Sequence, residues 1–262
     1  MIYVMSDLHG CYEEYCKALE LIDFSSEDIL YVLGDIVDRG KEPIKILQDM
    51  MMRDNVYPII GNHDYMAMSV LRKLTVEITE DNYESHLTEE DMEAYYRWMQ
   101  DGGHVTIEQF KALSFEEKQD ILDYMDEFAL YEEVSVNGRD YILVHAGLEP
   151  FDENKNLDDY GLQMIFKRCN YDRQYFDDKY VITGHTPTVM IDPAYRGKIY
   201  EKNNHIAIDC GCVFGFALGV YCLDTQEKFY IQKEEANQKL LGFNQKVLGA
   251  VLGDVKSADP KS

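Results

Sequence analysis

The sequence predicts an α/β layered fold. Three observations predict it. Short runs of β-branched and aromatic residues recur along the chain, as buried strands do. Helical apolar periodicity fills the gaps between the first three runs, and strand–helix alternation implies stacked layers of sheet and helix. Five of the runs also end in a cluster of polar residues able to bind a metal. In α/β folds, ligands gather outside the carboxyl ends of the strands.

The first run, IYVM, leads into Ser6-Asp7-Leu8-His9-Gly10. After Gly10, the residues Cys11, Tyr15, Ala18, Leu19 and Ile22 mark one face at helical spacing. The second run, ILYVL, leads into Gly34-Asp35, and PIKILQDM (43–50) then reads as a helix with Pro43 suited to its first turn. The third run, VYPII, leads into Gly61-Asn62-His63-Asp64. From about 75 to 133 the pattern is mostly helical and acidic. Thr88 before Glu90-Asp91 and Ser114 before Glu116-Glu117 read as helix starts. This segment is expected to be a helical cap inserted between the third and fourth strands, or else a solvated helical pair serving stability alone.

The fourth run, YILV, leads into His145-Ala146-Gly147, and the fifth, YVIT, into Gly184-His185-Thr186-Pro187. HIAIDCG, GFALGVYCLD and KFYIQK follow and are expected to form strands of a second sheet. The expected organisation is one domain over 1–236 with the cap inserted, then a weak helix and frayed end over 237–262.

The chain has 262 residues, with 49 acidic against 25 basic and a net charge of −24. A strongly acidic protein lacks the basic footprint that phosphate neutralisation demands, so a nucleic-acid partner is not expected. A small phosphorylated substrate needs only a local cationic pocket. No stretch of about 18 apolar residues suggests a membrane span. The start, MIYVMSDLHG, carries no basic segment or cleavage site, so a cytoplasmic location is expected. The six cysteines, at 11, 16, 169, 210, 212 and 222, form no C-x-x-C pair. They read as small buried hydrophobes rather than a disulfide framework.

Asp7 and His9 stand two apart at a strand end, where residues i and i+2 point to the same side. Asp35 follows the neighbouring strand, and a carboxylate has two oxygens with which to bridge cations. Asn62, His145 and His185 complete a set of carboxylate, amide and imidazole donors without a thiolate, which suits Mn²⁺, Fe or Zn²⁺. The set is too large for one metal. Asp7, His9 and Asp35 would hold the first; Asp35, Asn62, His145 and His185 the second. His86, His104 and His205 lie outside these clusters and are read as structural.

SDLHG, GDIVDRG, GNHD, VHAG and TGHTP, in this order, resemble the signature of calcineurin-like metallophosphoesterases, and the later IDCGCVFG resembles the closing strand motif of that group. The phosphoprotein phosphatase branch, in its bacterial and phage forms, is the nearest match. The resemblance implies a central two-sheet β-sandwich flanked by helices, with a dinuclear centre, most commonly Mn²⁺, at one edge. It implies that Asp38 hydrogen-bonds and orients His63, and that Arg39 holds phosphate oxygens beside Asn62. A second phosphate-binding arginine is expected in QMIFKRCN: Arg168, with Arg173 as the alternative. Asp64 stands where many relatives have Glu and is expected to play a supporting part.

The activity implied is hydrolysis of a phosphate ester by in-line attack of metal-bound hydroxide, with His63 protonating the leaving group. Three functions follow: a serine/threonine protein phosphatase, placed first; a symmetrical diadenosine tetraphosphate hydrolase; and a non-catalytic module using metals for stability alone. The RWMQDGGHVTIEQF segment resembles that of relatives of either of the first two kinds.

Overall fold

The computed structural model describes residues 1–76 and 88–233. The expected tail over 237–262, and the 77–87 part of the cap with His86, lie outside the described residues.

Two five-stranded sheets form the centre. The first has the order β10-β9-β1-β2-β3, from Lys228–Gln232, Ala217–Cys222, Ile2–Met5, Ile29–Val32 and Val56–Pro58. The second has the order β4-β5-β6-β8-β7, from Tyr131–Val136, Arg139–Val144, Lys179–Thr183, His205–Ala207 and Tyr200–Lys202. Period-two alternation explains why the sheets stack. Val4 of β1, Tyr141 and Leu143 of β5, Ile182 of β6, Ile206 of β8 and Tyr221 of β9 share one buried layer between the sheets. Their chain neighbours Tyr3, Met5, Ile142, Val144, Val181 and Val220 face outward into a second, larger core with the helices. The expected two-sheet sandwich flanked by helices is therefore the observed fold.

Helix α1 (Tyr12–Leu21) crosses from β1 to its parallel neighbour β2, and α2 (Pro43–Met51) from β2 to β3, with Pro43 at its first position. The anticipated face of α1 is the buried one: Cys11, Tyr15, Ala18, Leu19 and Ile22 are each less than a tenth exposed. Helix α3 (Asn62–Thr75) begins at the third polar cluster itself. Next come α4 (Glu89–Gln100), α5 (His104–Lys111) and α6 (Phe115–Asp126), with capping boxes Thr88–Asp91 on α4 and Ser114–Glu117 on α6. Two single-turn helices, α7 (Leu162–Ile165) and α8 (Thr188–Ile191), belong to the loops of the second sheet. No described helix is long and apolar enough to cross a membrane.

Two sequence expectations need correction. GFALGVYCLD and KFYIQK do not extend the second sheet: β9 and β10 join the first, with β9 antiparallel to β1. The edge of β1 opposite β2 has to be paired or covered, and the returning chain pairs it. Lys233, just past β10, secures this edge through Glu14 Oε2 (3.4 Å) and Cys11 Sγ (3.0 Å). Residues 131–133, assigned to the cap, instead open β4, which pairs with β5 through an Asn137-Gly138 turn. All six cysteines are free thiols; five are buried and Cys16 is half-buried.

Candidate metal centre

The three parallel strands β1, β2 and β3 deliver their carboxyl ends to one edge, and so do β5, β6 and β8 of the other sheet. The segment after each of these strands supplies polar residues: Asp7 and His9; Asp35, Asp38 and Arg39; Asn62 and His63; His145; His185; Asp209. Backbone bonds lace the loops together, as in His9 N to Asp35 O (2.8 Å) and Gly184 N to His145 O (2.8 Å). Gly34 makes the crowding possible. It sits at φ 74°, and a Cβ there would run into the backbone of Gly61.

Asp7, His9, Asp35, Asp38, Arg39 and His185 all have φ between 41° and 73°. Non-glycine residues avoid this region, and such strain persists only where the surroundings over-determine it. Here it bends the chain sharply at six polar residues gathered about a common point.

Asp35 lies at that point. His9 Nε2 is 3.6 Å from Oδ2 and His145 Nε2 is 3.4 Å from Oδ1. Both imidazoles are oriented from behind, with Nδ1 donating to Val37 O (2.9 Å) and to Leu33 O (2.7 Å). This leaves each Nε2 without its ring proton: that of His145 faces Asp35, and that of His9 lies between Asp35 and the Arg39 guanidinium (2.7 Å). The donor atoms of His9, Asp35 and His63 lie within 4.8 Å of one another, as do those of Asp35, His145 and His185. Asp35 thus belongs to both groups. Asn62 Oδ1 is 3.0 Å from His145 Nε2. Asp7 stands behind this array, its carboxylate accepting from the His185 amide at 3.1 and 2.9 Å.

The second constellation is built on Asp38, which is fully buried. His63 Nδ1 donates to Asp38 Oδ2 (2.7 Å), leaving Nε2 facing the Arg39 guanidinium (2.7 Å), whose other nitrogen is 2.7 Å from His9 Nε2. The helical segment closes on this pair. Trp98 Nε1 donates to Asp38 Oδ2 (2.8 Å), and the Thr106 hydroxyl donates to Oδ1 (2.6 Å) while accepting from the Asp38 amide (3.0 Å). Arg39 N donates to Gly102 O (3.1 Å) and its Nε to Asp101 O (3.3 Å). Residues of this helical segment thus complete the hydrogen bonding of a buried carboxylate.

A cavity of about 110 Å³ opens over the array, lined among others by Asn62, Arg39, Arg168, Asp209 and Phe214. Arg168 reaches this cavity. Arg173 does not line it; its guanidinium lies over the Phe151 ring (5.2 Å). Asp64 stays behind the loops, where it accepts from the amides of Gly61, Ile36 and Val37. His205 is bound to Arg173 O (2.8 Å), away from the cavity. Sequence reasoning passed over Trp98, Thr106 and Asp209. Asp209 carried the same signal as the others, a carboxylate straight after an apolar run.

A family model for the calcineurin-like phosphoesterases matches residues 1–215. The chain belongs to this family. It is similar to the symmetrical bis(5'-nucleosyl)-tetraphosphatase of Wigglesworthia glossinidia brevipalpis, 29% identical over 99 residues, or 37% of this chain and 36% of that protein. The same enzyme of Buchnera aphidicola subsp. Schizaphis graminum is 27% identical over 147 residues, 53% of this chain and 54% of the relative. The matches thus span between about a third and a half of these curated relatives. Among solved structures, a candidate diadenosine tetraphosphatase aligns over 90% of this chain and 94% of its own at a TM-score of 0.60 and 16% identity, a likeness of fold.

Membership of the phosphoesterase family implies divalent metal ions, and the residues present fit them. Burial, with Asp209 and Asp35 alongside, pushes the Asp7 carboxyl well up. Burial and the Asp35 charge raise Asp64 to about 7, and burial raises Asp209 to about 7. Burial also opposes the charge on Asp35, yet the neighbouring histidines, His145 and His63 foremost, hold it below the usual carboxylate range. His9 and His185 are pulled down, chiefly by burial, His185 to about 3, so both stand as neutral donors. Buried carboxylates crowded against one another and against neutral imidazoles are costly without a cation.

This arrangement fixes a pH dependence. Carboxyls whose folded pKa exceeds the unfolded value bind more protons folded than unfolded, so stability falls as pH rises through the interval between the two. For Asp64 and Asp209 that interval runs from 3.8 to about 7. His9 and His185, held below their ordinary value of 6.5, act the opposite way and gain stability as pH rises toward it, so the two effects offset one another up to that point. The loss from the carboxyls is expected to show only above about pH 6.5, as a Tm of the chelated protein that falls toward pH 7 and is restored by divalent metal; a Tm still rising there would contradict the crowding.

Proposed function

We propose that the chain is a metal-dependent hydrolase that cleaves dinucleoside tetraphosphates symmetrically, adding water at a central phosphorus and releasing two nucleoside diphosphates. The observation that carries this reading is the similarity to symmetrical tetraphosphatases over as many as 147 residues. It reverses the order suggested by the motifs alone, which placed a serine/threonine phosphatase first. That second reading keeps one specific support. The clamped Asp38–His63 pair suits an alkoxide leaving group, which needs a proton more than a phosphate does.

In this proposal Asp7, His9 and Asp35 hold one cation, and Asp35, Asn62, His145 and His185 the other. Asp209 adds negative charge close by. Carboxylate, amide and imidazole donors suit Mn²⁺ first, with Fe or Zn²⁺ as alternatives. When bound, the pair supplies Lewis acidity toward phosphoryl oxygens and water. Arg39 and Arg168 meet the remaining phosphate oxygens with planar guanidinium forks. Burial works against the charged form of His63, but Asp35 and Asp38 outweigh it and keep the imidazole above its ordinary value. Arg39 stands 2.7 Å from His63 Nε2 in this structure; with Arg39 turned to the phosphate, His63 would carry a proton at Nε2 and deliver it to the departing oxygen. The sheets and the inserted helices act as one catalytic unit.

The test is a substrate panel on manganese-loaded protein: diadenosine tetraphosphate, a phosphothreonine peptide and p-nitrophenyl phosphate. The expected result is fastest turnover of the tetraphosphate, with ADP as the sole nucleotide product. ATP and AMP among the products, or preference for the peptide, would overturn the reading.

A further inference from the structure

We propose that Tyr65 and Phe166 form a stacking shelf for a purine base, so that a nucleotide substrate is held at its base as well as at its phosphates. The inference deepens the reading above and rests on it for the substrate class. Tyr65 lies on α3 three residues after Asn62, and residues three apart share a helix face. Phe166 lies two residues before Arg168, which lines the cavity. One ring therefore comes from the segment that carries a metal-facing amide and the other from the segment that carries a phosphate-facing guanidinium.

The rings meet at 6.0 Å between centroids with a 47° tilt, and Phe166 stands edge-on to His145 at 6.2 Å. The shelf is thus one ring removed from the imidazole that faces Asp35. Tyr65 is 38% exposed and Phe166 is half-buried. Neither ring lines the cavity itself, and Phe166 also packs against the larger core; the pair borders the site through His145 and through the segments that carry Asn62 and Arg168. Every base presents a π-face, and base–aromatic stacking is worth a factor of roughly ten or more per base. A tyrosine half out of water supplies such a face at small entropic cost.

The experiment is calorimetric titration of manganese-loaded protein with ADP and, separately, with pyrophosphate. The wild type is compared with Tyr65→Ala, Tyr65→Phe and Phe166→Leu. ADP affinity is expected to fall on the order of tenfold in Tyr65→Ala, to fall in Phe166→Leu, and to be retained in Tyr65→Phe, which keeps the ring and loses only the hydroxyl. Pyrophosphate affinity should move less than twofold throughout. Unchanged ADP affinity in Tyr65→Ala, or a parallel loss for pyrophosphate, would overturn the shelf. Wild-type protein that discriminates ADP through these rings yet fails to cleave diadenosine tetraphosphate would sink the tetraphosphatase reading and leave the shelf supported for another nucleotide.

Discussion

Replacing Asp35 by asparagine is expected to abolish metal binding at both positions and to cut turnover roughly a thousandfold or more. The expectation comes from its placement, because Asp35 is shared by the two tight donor groups at this site, His9–Asp35–His63 and Asp35–His145–His185. Losing any other ligand weakens one position; losing this one weakens two. Asparagine keeps the oxygen that accepts from the His63 amide at 2.9 Å, so the loop should hold its shape. Loss of the Asp35 carboxylate should also make the Tm less responsive to added metal. Elemental analysis and thermal melts with and without added metal give both readouts. Two equivalents of metal retained by Asp35→Asn would refute the bridging placement.

What the sequence made legible is what depends on neighbours along the chain. An apolar run followed by Asp-x-His or Gly-Asp marks a strand end and its cluster, because burial and side-chain direction are set within a few residues. Helix starts at Thr88 and Ser114 were readable for the same reason: each cap completes its hydrogen bonds three residues on. Sheet membership was not readable for β9, whose alternation is equally compatible with either sheet. The pairing of Tyr3 with Cys222 joins residues from opposite ends of the described chain. β4 was missed although its signal was local. Asn137 and Gly138, both at positive φ, form the turn that such a dipeptide favours between two strands.

The site shows the same division. The residues converging on Asp35 could be collected from motifs, whereas the support for Asp38 could not. Trp98 and Thr106 reach Asp38 from 60 and 68 residues away. In the sequence, an apolar tryptophan and a threonine on helices read as packing. Only the folded chain shows that the buried carboxylate receives one donor from His63 and two more from the helical segment. An unpaired carboxylate there would be costly, so these bonds are part of what allows an acid behind an imidazole in a dry site.

Replacing His63 by asparagine is expected to separate the substrates by their leaving groups. An alkoxide leaving from a phosphoserine or alkyl phosphate is strongly basic and needs a proton as the bond breaks, so a general acid contributes about 10²–10⁴-fold. A p-nitrophenolate or a nucleoside diphosphate leaves as a stabilised anion and needs far less help. If His63 carries the proton, His63→Asn should slow alkyl phosphates by about a hundredfold or more and the tetraphosphate by about tenfold or less. Trp98→Phe should move activity the same way by a smaller step. It removes one hydrogen bond, worth about 1 kcal/mol, from a carboxylate still held by Thr106 and His63. The alkaline limb of the pH profile gives a second readout: the arginines stay charged throughout, a general acid loses rate as it deprotonates, and His63→Asn is expected to change that limb for the alkyl phosphates. Equal losses on all three substrates would show that His63 positions Arg39, which it contacts at 2.7 Å, rather than transferring a proton.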